Sequence, residues 1–121
     1  QMQVRAIRGA ISVPENSKEA ISSAVVELLK KILEVNGLSE EDLISVLFTV
    51  TGDLNQEFPA TAARSLGLAN TPLICAREID VPGSMSGVIR ILIHAYSRRS
   101  KSEIEHIYLR DAAKLRKDLS K

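Results

Sequence analysis

Ile21, Ala24, Val25, Leu28, Leu29 and Ile32 recur at helical spacing through PENSKEAISSAVVELLKKILEVNG, which predicts one long amphipathic helix. Asn16 and Glu19 stand in capping-box relation at its start, and Asn36-Gly37 supplies its stop. Upstream, VRAIRGAISV carries β-branched residues and runs into Pro14, so residues 3–12 are expected to form a first strand. Downstream, DLISVLFTVTGDL places Ile44, Val46, Phe48 and Val50 on one face of a central strand that ends at Gly52-Asp53. FPATAARSLG has Pro at a first helical position and Gly just past the last, the signature of a short helix. TPLICARE reads as a short strand, IDVPGSMSG as a turn-rich connection and SGVIRILIHAY as a long strand. SRRSKSE reads as a solvated loop, IEHIYL as a last short strand and RDAAKLRKDLSK as a short helix running into a polar tail.

The resulting order is β, α, β, short α, β, β, β, short α. The fold class expected is α+β: a mixed β-sheet of about five strands with one long helix and short helices. One long helix covers one face of such a sheet and leaves apolar surface on the other, so burial against further copies of the chain is expected. The 121 residues, 45% hydrophobic, suit a single domain over residues 1–121, with the tail from about residue 116 expected to be flexible.

Charge narrows the partners. Lys+Arg of 16 against Asp+Glu of 15 gives a formal net charge of +1, so no global field points to nucleic acid or to a membrane surface. Aromatic residues are 3% with no Trp, which argues against a stacking platform for single strands. The single cysteine, Cys75, excludes an internal disulfide framework; with two histidines far apart, it makes a zinc site an unexpected feature. No metal and no cofactor are expected. The N-terminal QMQVRAIRG has no apolar signal core, Met2 is expected to be the natural start, and the expected location is the cytoplasm.

Arg90 interrupts an otherwise apolar strand. By period two it shares a face with Val88, Leu92 and His94, opposite Ile89, Ile91 and Ile93. A guanidinium there needs a negative partner. It pairs with Glu78 or Asp80 as a structural ion pair, lies at a subunit interface, or faces an anionic ligand. Arg8 closes VRAIRG before Gly9 and reads either as a strand-edge guard or as a second ligand cation. Arg64 and Arg116 read as solvated residues that are also available to an anion. No nucleophile elbow and no Gly-rich phosphate loop occurs, and His94 and His106 read as packed or exposed groups. Cys75 reads as a small buried hydrophobe or a weak S–H donor. An enzyme built from these residues would act by electrostatics and orientation on an anionic substrate, without a covalent step.

Taken in order, VRAIRGA, FPATAAR, PLICAREIDVPG, VIRILI and HIYLRDAAKLRKDL resemble the AroH class of monofunctional chorismate mutases from residue 4 to about 119. The resemblance implies a homotrimeric pseudo-α/β-barrel with sites between adjacent subunits. It also implies conversion of chorismate, a dicarboxylate, to prephenate by a Claisen rearrangement in phenylalanine and tyrosine biosynthesis. On the matching positions it implies Arg90 for the ether oxygen, Glu78 and Cys75 for the ring hydroxyl, and Arg8 with Tyr108 for a carboxylate. Phe58, Ala60 and Arg64 would come from the neighbouring subunit, Leu73 and Ile74 would line the pocket, and Leu115 and Arg116 would lie on a C-terminal segment over the ligand. Thr61 stands where some relatives have lysine, and Lys117 where relatives often have proline.

Two other readings share the scaffold. A trimeric imine deaminase of the Rid type also grips a carboxylate with an interfacial arginine, although the motif order follows the mutases. A non-catalytic trimeric binder of small anions would need only Arg8 and a pocket.

Overall fold

The computed structural model describes residues 1–116. Five strands, β1 (Gln3–Ser12), β2 (Leu43–Val50), β3 (Leu73–Arg77), β4 (Val88–Ser97) and β5 (Ile107–Leu109), form one sheet in the order β3-β2-β4-β1-β5. The central β4 runs antiparallel to β1 and β2, while β3 is parallel to β2 and β5 parallel to β1. Helix α1 (Lys18–Val35) and the short α2 (Pro59–Ser65) complete the element order read from the sequence. The expected last helix is a 3-10 segment, Arg110–Arg116.

One side of the sheet carries the core. Ile7 and Ile11 of β1, Val46 and Phe48 of β2, and Ile89, Ile91 and Ile93 of β4 are all buried there against the Ile21, Val25, Leu28, Leu29 and Ile32 stripe of α1. Each fully buried Leu or Ile contributes about 1.5–3 kcal/mol. This packing is what makes β4 a rigid mount.

Helix α1 departs from expectation at its start. Its N-cap is Ser17, whose Oγ accepts the Ala20 amide at 3.1 Å. Asn16 instead exchanges hydrogen bonds with Asn55, donating from Nδ2 to Asn55 Oδ1 at 2.8 Å and accepting the Asn55 amide at 3.0 Å. The helix stops as expected: Asn36 is the C-cap and Gly37 adopts φ 64°. Asn36 is buried, and its side chain donates to Glu105 O at 2.9 Å and accepts the Glu105 amide at 2.9 Å, tying the helix end to the approach of β5.

A register irregularity between Leu43 and Ser45 shifts the start of β2. Leu43, paired with Ala95, takes the buried place that alternation gives to Ile44, and the extra residue is absorbed as a bulge. From Val46 onward the expected alternation holds.

The opposite side of the sheet, which bears Arg90, has among the described residues a small cluster of Ala10, Val88 and Ala112, with Met85, Tyr108 and Leu115 packed against it. Val4 and Tyr96 on this side are about half exposed.

Strand β4 is aimed by the turn before it. Gly87 adopts φ 65°, its amide donates to Asp53 Oδ1 at 3.2 Å, and the Val88 amide donates to Thr51 Oγ1 at 3.0 Å. Burial raises the Asp53 carboxyl, but hydrogen bonds from the Thr51 hydroxyl and the Gly87 amide outweigh it and hold the group below its ordinary value of 3.8. A depressed carboxyl contributes stability above its unfolded value, lost as pH falls through the folded one.

Two predictions follow from these contacts. A Cβ on Gly9 would lie 2.8 Å from Ile107 O and 2.9 Å from Ile32 Cδ1. Gly9→Ala is therefore expected to lower unfolding free energy by about 1–3 kcal/mol in urea titration; an unchanged midpoint would contradict this packing. Asp53→Asn is expected to be less stable than the unsubstituted chain at neutral pH, with the difference narrowing as pH falls below about 3.8. A difference constant with pH would refute the carboxylate's role.

Candidate active site

The register of the sheet places four side chains in one row across its open side. Arg90 stands opposite Thr49 on β2 and Ala10 on β1, and Ala10 stands opposite Tyr108 on β5. Arg8 is two residues before Ala10 on the same face and pairs with Leu92. Glu78 follows β3 directly, its amide donating to Val50 O at 2.8 Å. These residues line a cleft of about 220 Å³ that includes Arg8, Thr49, Glu78, Arg90 and Tyr108.

Within the cleft Arg90 Nε lies 3.5 Å from Glu78 Oε1, with the two side chains 37% and 28% exposed. That separation gives Coulombic attraction, yet Nε is buried and makes no hydrogen bond among the described residues. Of the partners expected for Arg90, the structure shows Glu78: the pair is loose, Nε has no hydrogen bond among the described residues, and the side chain also lines the cleft. A buried, charged donor without a hydrogen bond is costly unless something completes it. Thr49 Oγ1 donates to Glu78 Oε1 at 2.8 Å. Arg8 is exposed at the cleft wall, and its amide donates to His106 Nδ1 at 3.0 Å. Two arginines against one carboxylate make this a place for an anion.

The C-terminal segment is laid along one edge. Arg110 adopts φ 57° and donates from Nη1 to Ser12 O at 3.1 Å and from Nη2 to Glu27 Oε1 at 2.7 Å; the Asp111 amide donates to Ser12 Oγ at 3.0 Å. A left-handed arginine costs about 1 kcal/mol or more, and these bonds hold it there. The turn brings Leu115 to the same small cluster that Tyr108 packs against and sets the Arg116 guanidinium carbon 5.8 Å from the Tyr108 ring centroid. Lys117 lies outside the described residues.

The other sequence-derived candidates gather elsewhere on the chain. Cys75, opposite Phe48 in the register, packs toward the helix-side core and lines a second cleft of about 560 Å³ with Phe58. Phe58 is 70% exposed at the start of α2, whereas Ala60 is buried. Arg64 is exposed and reaches Thr61 Oγ1 at 3.5 Å. Leu73 packs against the core and Ile74, on the open side, is 63% exposed. A single subunit therefore joins Arg8, Glu78, Arg90 and Tyr108, with Leu115 and Arg116 beside Tyr108, and does not join Cys75, Phe58, Ala60 or Arg64 to them.

Thr49 and Arg110 escaped the sequence reading. The alternation of β2 contained the first: Thr49 is out of phase with Val46, Phe48 and Val50 and so shares the Arg90 side. Nothing local marks Arg110. Among the described residues no group of three or more His, Cys, Asp or Glu side chains could hold a metal ion, and no helix is long and apolar enough to cross a membrane.

Comparison with known proteins bears on this cleft. The model of the family "Chorismate mutase type I" matches residues 4–119. Chorismate mutase AroH of Thermus thermophilus is 51% identical over 117 residues, which is 96% of each chain. The AroH of Bacillus subtilis (strain 168) is 38% identical over 120 residues, 98% of this chain and 94% of that one. A solved chorismate mutase from Clostridium thermocellum superposes with TM-score 0.88 at 47% identity, covering 89% of this chain and 96% of its own.

Proposed function

The chain belongs to the type I chorismate mutase family, and from that premise we propose how its own residues carry the reaction. It is an isomerase that converts chorismate to prephenate, a step of aromatic amino acid biosynthesis. The rearrangement breaks an ether C–O bond while a C–C bond forms, and negative charge develops on the ether oxygen. No proton has to move. Acceleration then depends on holding the enolpyruvyl arm over the ring and on a cation fixed where that charge appears.

Arg90 is that cation. The observation that carries the assignment is a guanidinium that lines the cleft from the central strand, faces Glu78 at 3.5 Å and has a buried Nε without a hydrogen bond among the described residues. Glu78 accepts the ring hydroxyl through Oε2, since Oε1 is engaged by Thr49. Arg8 and Tyr108 take a substrate carboxylate. Arg116, over the Tyr108 ring, and Leu115, on the cluster that Tyr108 shares, border the same end.

The remaining residues belong to a site completed between subunits. The open sheet side and its edges leave Phe58, Ile74, Ile79, Val81 and Val4 more than half exposed, an apolar surface of the kind that association covers. In a homotrimer, Phe58, Ala60 and Arg64 reach a neighbour's arginine cleft, with Phe58 as apolar wall and Arg64 as cationic rim. Cys75 gives a weak polar contact to the ring hydroxyl, and Leu73 and Ile74 line the pocket. Light scattering is expected to return three times the chain mass; a monomer with full turnover would remove this part. The free Cys75 suits a reducing cytoplasm, and residues 1–121 act as one mutase domain. The family places the chain apart from imine deaminases and from non-catalytic anion binders.

The test is replacement of Arg90. Arg90→Lys keeps the charge but loses the planar fork, and kcat for loss of chorismate absorbance is expected to fall by about 100-fold or more. Near-normal turnover by the folded variant would sink the assignment.

A further inference from the structure

We propose that Thr49 is a positioning residue that holds Glu78 back from Arg90, and so keeps the Arg90 guanidinium out of a hydrogen bond to Glu78 and available to the reacting oxygen. The inference rests on the roles given above to Arg90 and Glu78.

The geometry begins with strand register. Thr49 pairs with Arg90 across β2 and β4, and the neighbouring residue Val50 accepts the Glu78 amide through its carbonyl at 2.8 Å. Consecutive positions of β2 thus fix Glu78 twice: Val50 anchors its backbone, and the Thr49 hydroxyl donates to its carboxylate at 2.8 Å. The oxygen that Thr49 holds is Oε1, the same one that faces Arg90 Nε at 3.5 Å.

A guanidinium and a carboxylate left to themselves close to about 2.7–2.9 Å and form a charge-assisted hydrogen bond. Here the gap stays wider and Nε stays without a hydrogen bond. Thr49 supplies a reason: its hydroxyl competes for Oε1 and pins the carboxylate on the β2 side. Two consequences follow for the reaction. A developing negative charge meets the part of the Arg90 guanidinium that lines the cleft, without the group first having to give up a hydrogen bond to Glu78. Glu78 Oε2, for which no hydrogen bond occurs among the described residues, is left as the acceptor for the ring hydroxyl.

Loss of the hydroxyl lets the ion pair close. That stabilises the ground state of the enzyme and withdraws the cation from the transition state, a loss in kcat and not in uniform binding.

The experiment compares Thr49→Val, Thr49→Ser and Glu78→Ala in steady-state turnover of chorismate, with thermal unfolding of each variant. Thr49→Val is expected to lose about tenfold in kcat with KM changed much less and with no drop in melting temperature. Thr49→Ser is expected to recover most of kcat, and Thr49→Val added to Glu78→Ala to cost nothing further. If Thr49→Val does not fold, Thr49→Ala takes its place with the same expectations. Wild-type kcat in Thr49→Val beside an impaired Glu78→Ala would overturn the proposal and leave the site reading standing. A loss that Thr49→Ser fails to restore, or that persists in the Glu78→Ala background, would also overturn it. Wild-type turnover by Glu78→Ala would overturn the reading of the site itself.

Discussion

A positive charge that cannot be neutralised stands in the middle of a sheet, and much of the molecule can be understood as the means of keeping it there. Burying part of a guanidinium costs free energy, and the Arg90–Glu78 pair offsets only part of it, because the two groups attract at 3.5 Å without forming a hydrogen bond. The remaining demand is directed at the cleft. A cation fixed in this way can meet developing negative charge without the protein having to reorganise.

Such an arrangement needs a mount that does not yield. Strand β4 is hydrogen-bonded on both sides, and Ile89, Ile91 and Ile93 of its other face are buried in the same core cluster as the α1 stripe. Gly9 lets β1 approach Ile32 and Ile107 closely, and Asn36 ties the end of α1 to the approach of β5. The turn held by Thr51, Asp53 and Gly87 starts β4 at the right register. Arg110 accepts a left-handed backbone so that the segment after Tyr108 folds back along the same edge. Core packing, caps and turns thus converge on the placement of one side chain.

Much of this is legible in the sequence because it is periodic. The α1 stripe, the alternation that sets Arg90 apart from Ile89 and Ile91, and the Pro and Gly that bound α2 are all local signals, and the structure follows them. Other features depend on which of several competent residues finds a tertiary partner. Asn16 and Ser17 can each cap a helix; Asn55 engages Asn16, and the cap falls to Ser17. The bulge at the start of β2 exchanges Leu43 for Ile44, a slip that hydropathy cannot see because both are apolar. Of the candidate residues, Arg8, Glu78, Arg90 and Tyr108 line one cleft, whereas Cys75 and Phe58 line a different cleft of the subunit. Thr49 was missed because a lone threonine in a strand is ordinary until its partner is known.

The central claim is that the charge of Arg90, held in fixed geometry, does the work. Replacement of Arg90 by citrulline keeps the planar shape and most of the donors while removing the charge, so turnover of chorismate by that folded protein separates the two. The account predicts a fall in kcat of about 100-fold or more with KM changed far less. Turnover within a few-fold of the unsubstituted enzyme would show that shape and hydrogen bonding suffice, and would contradict it.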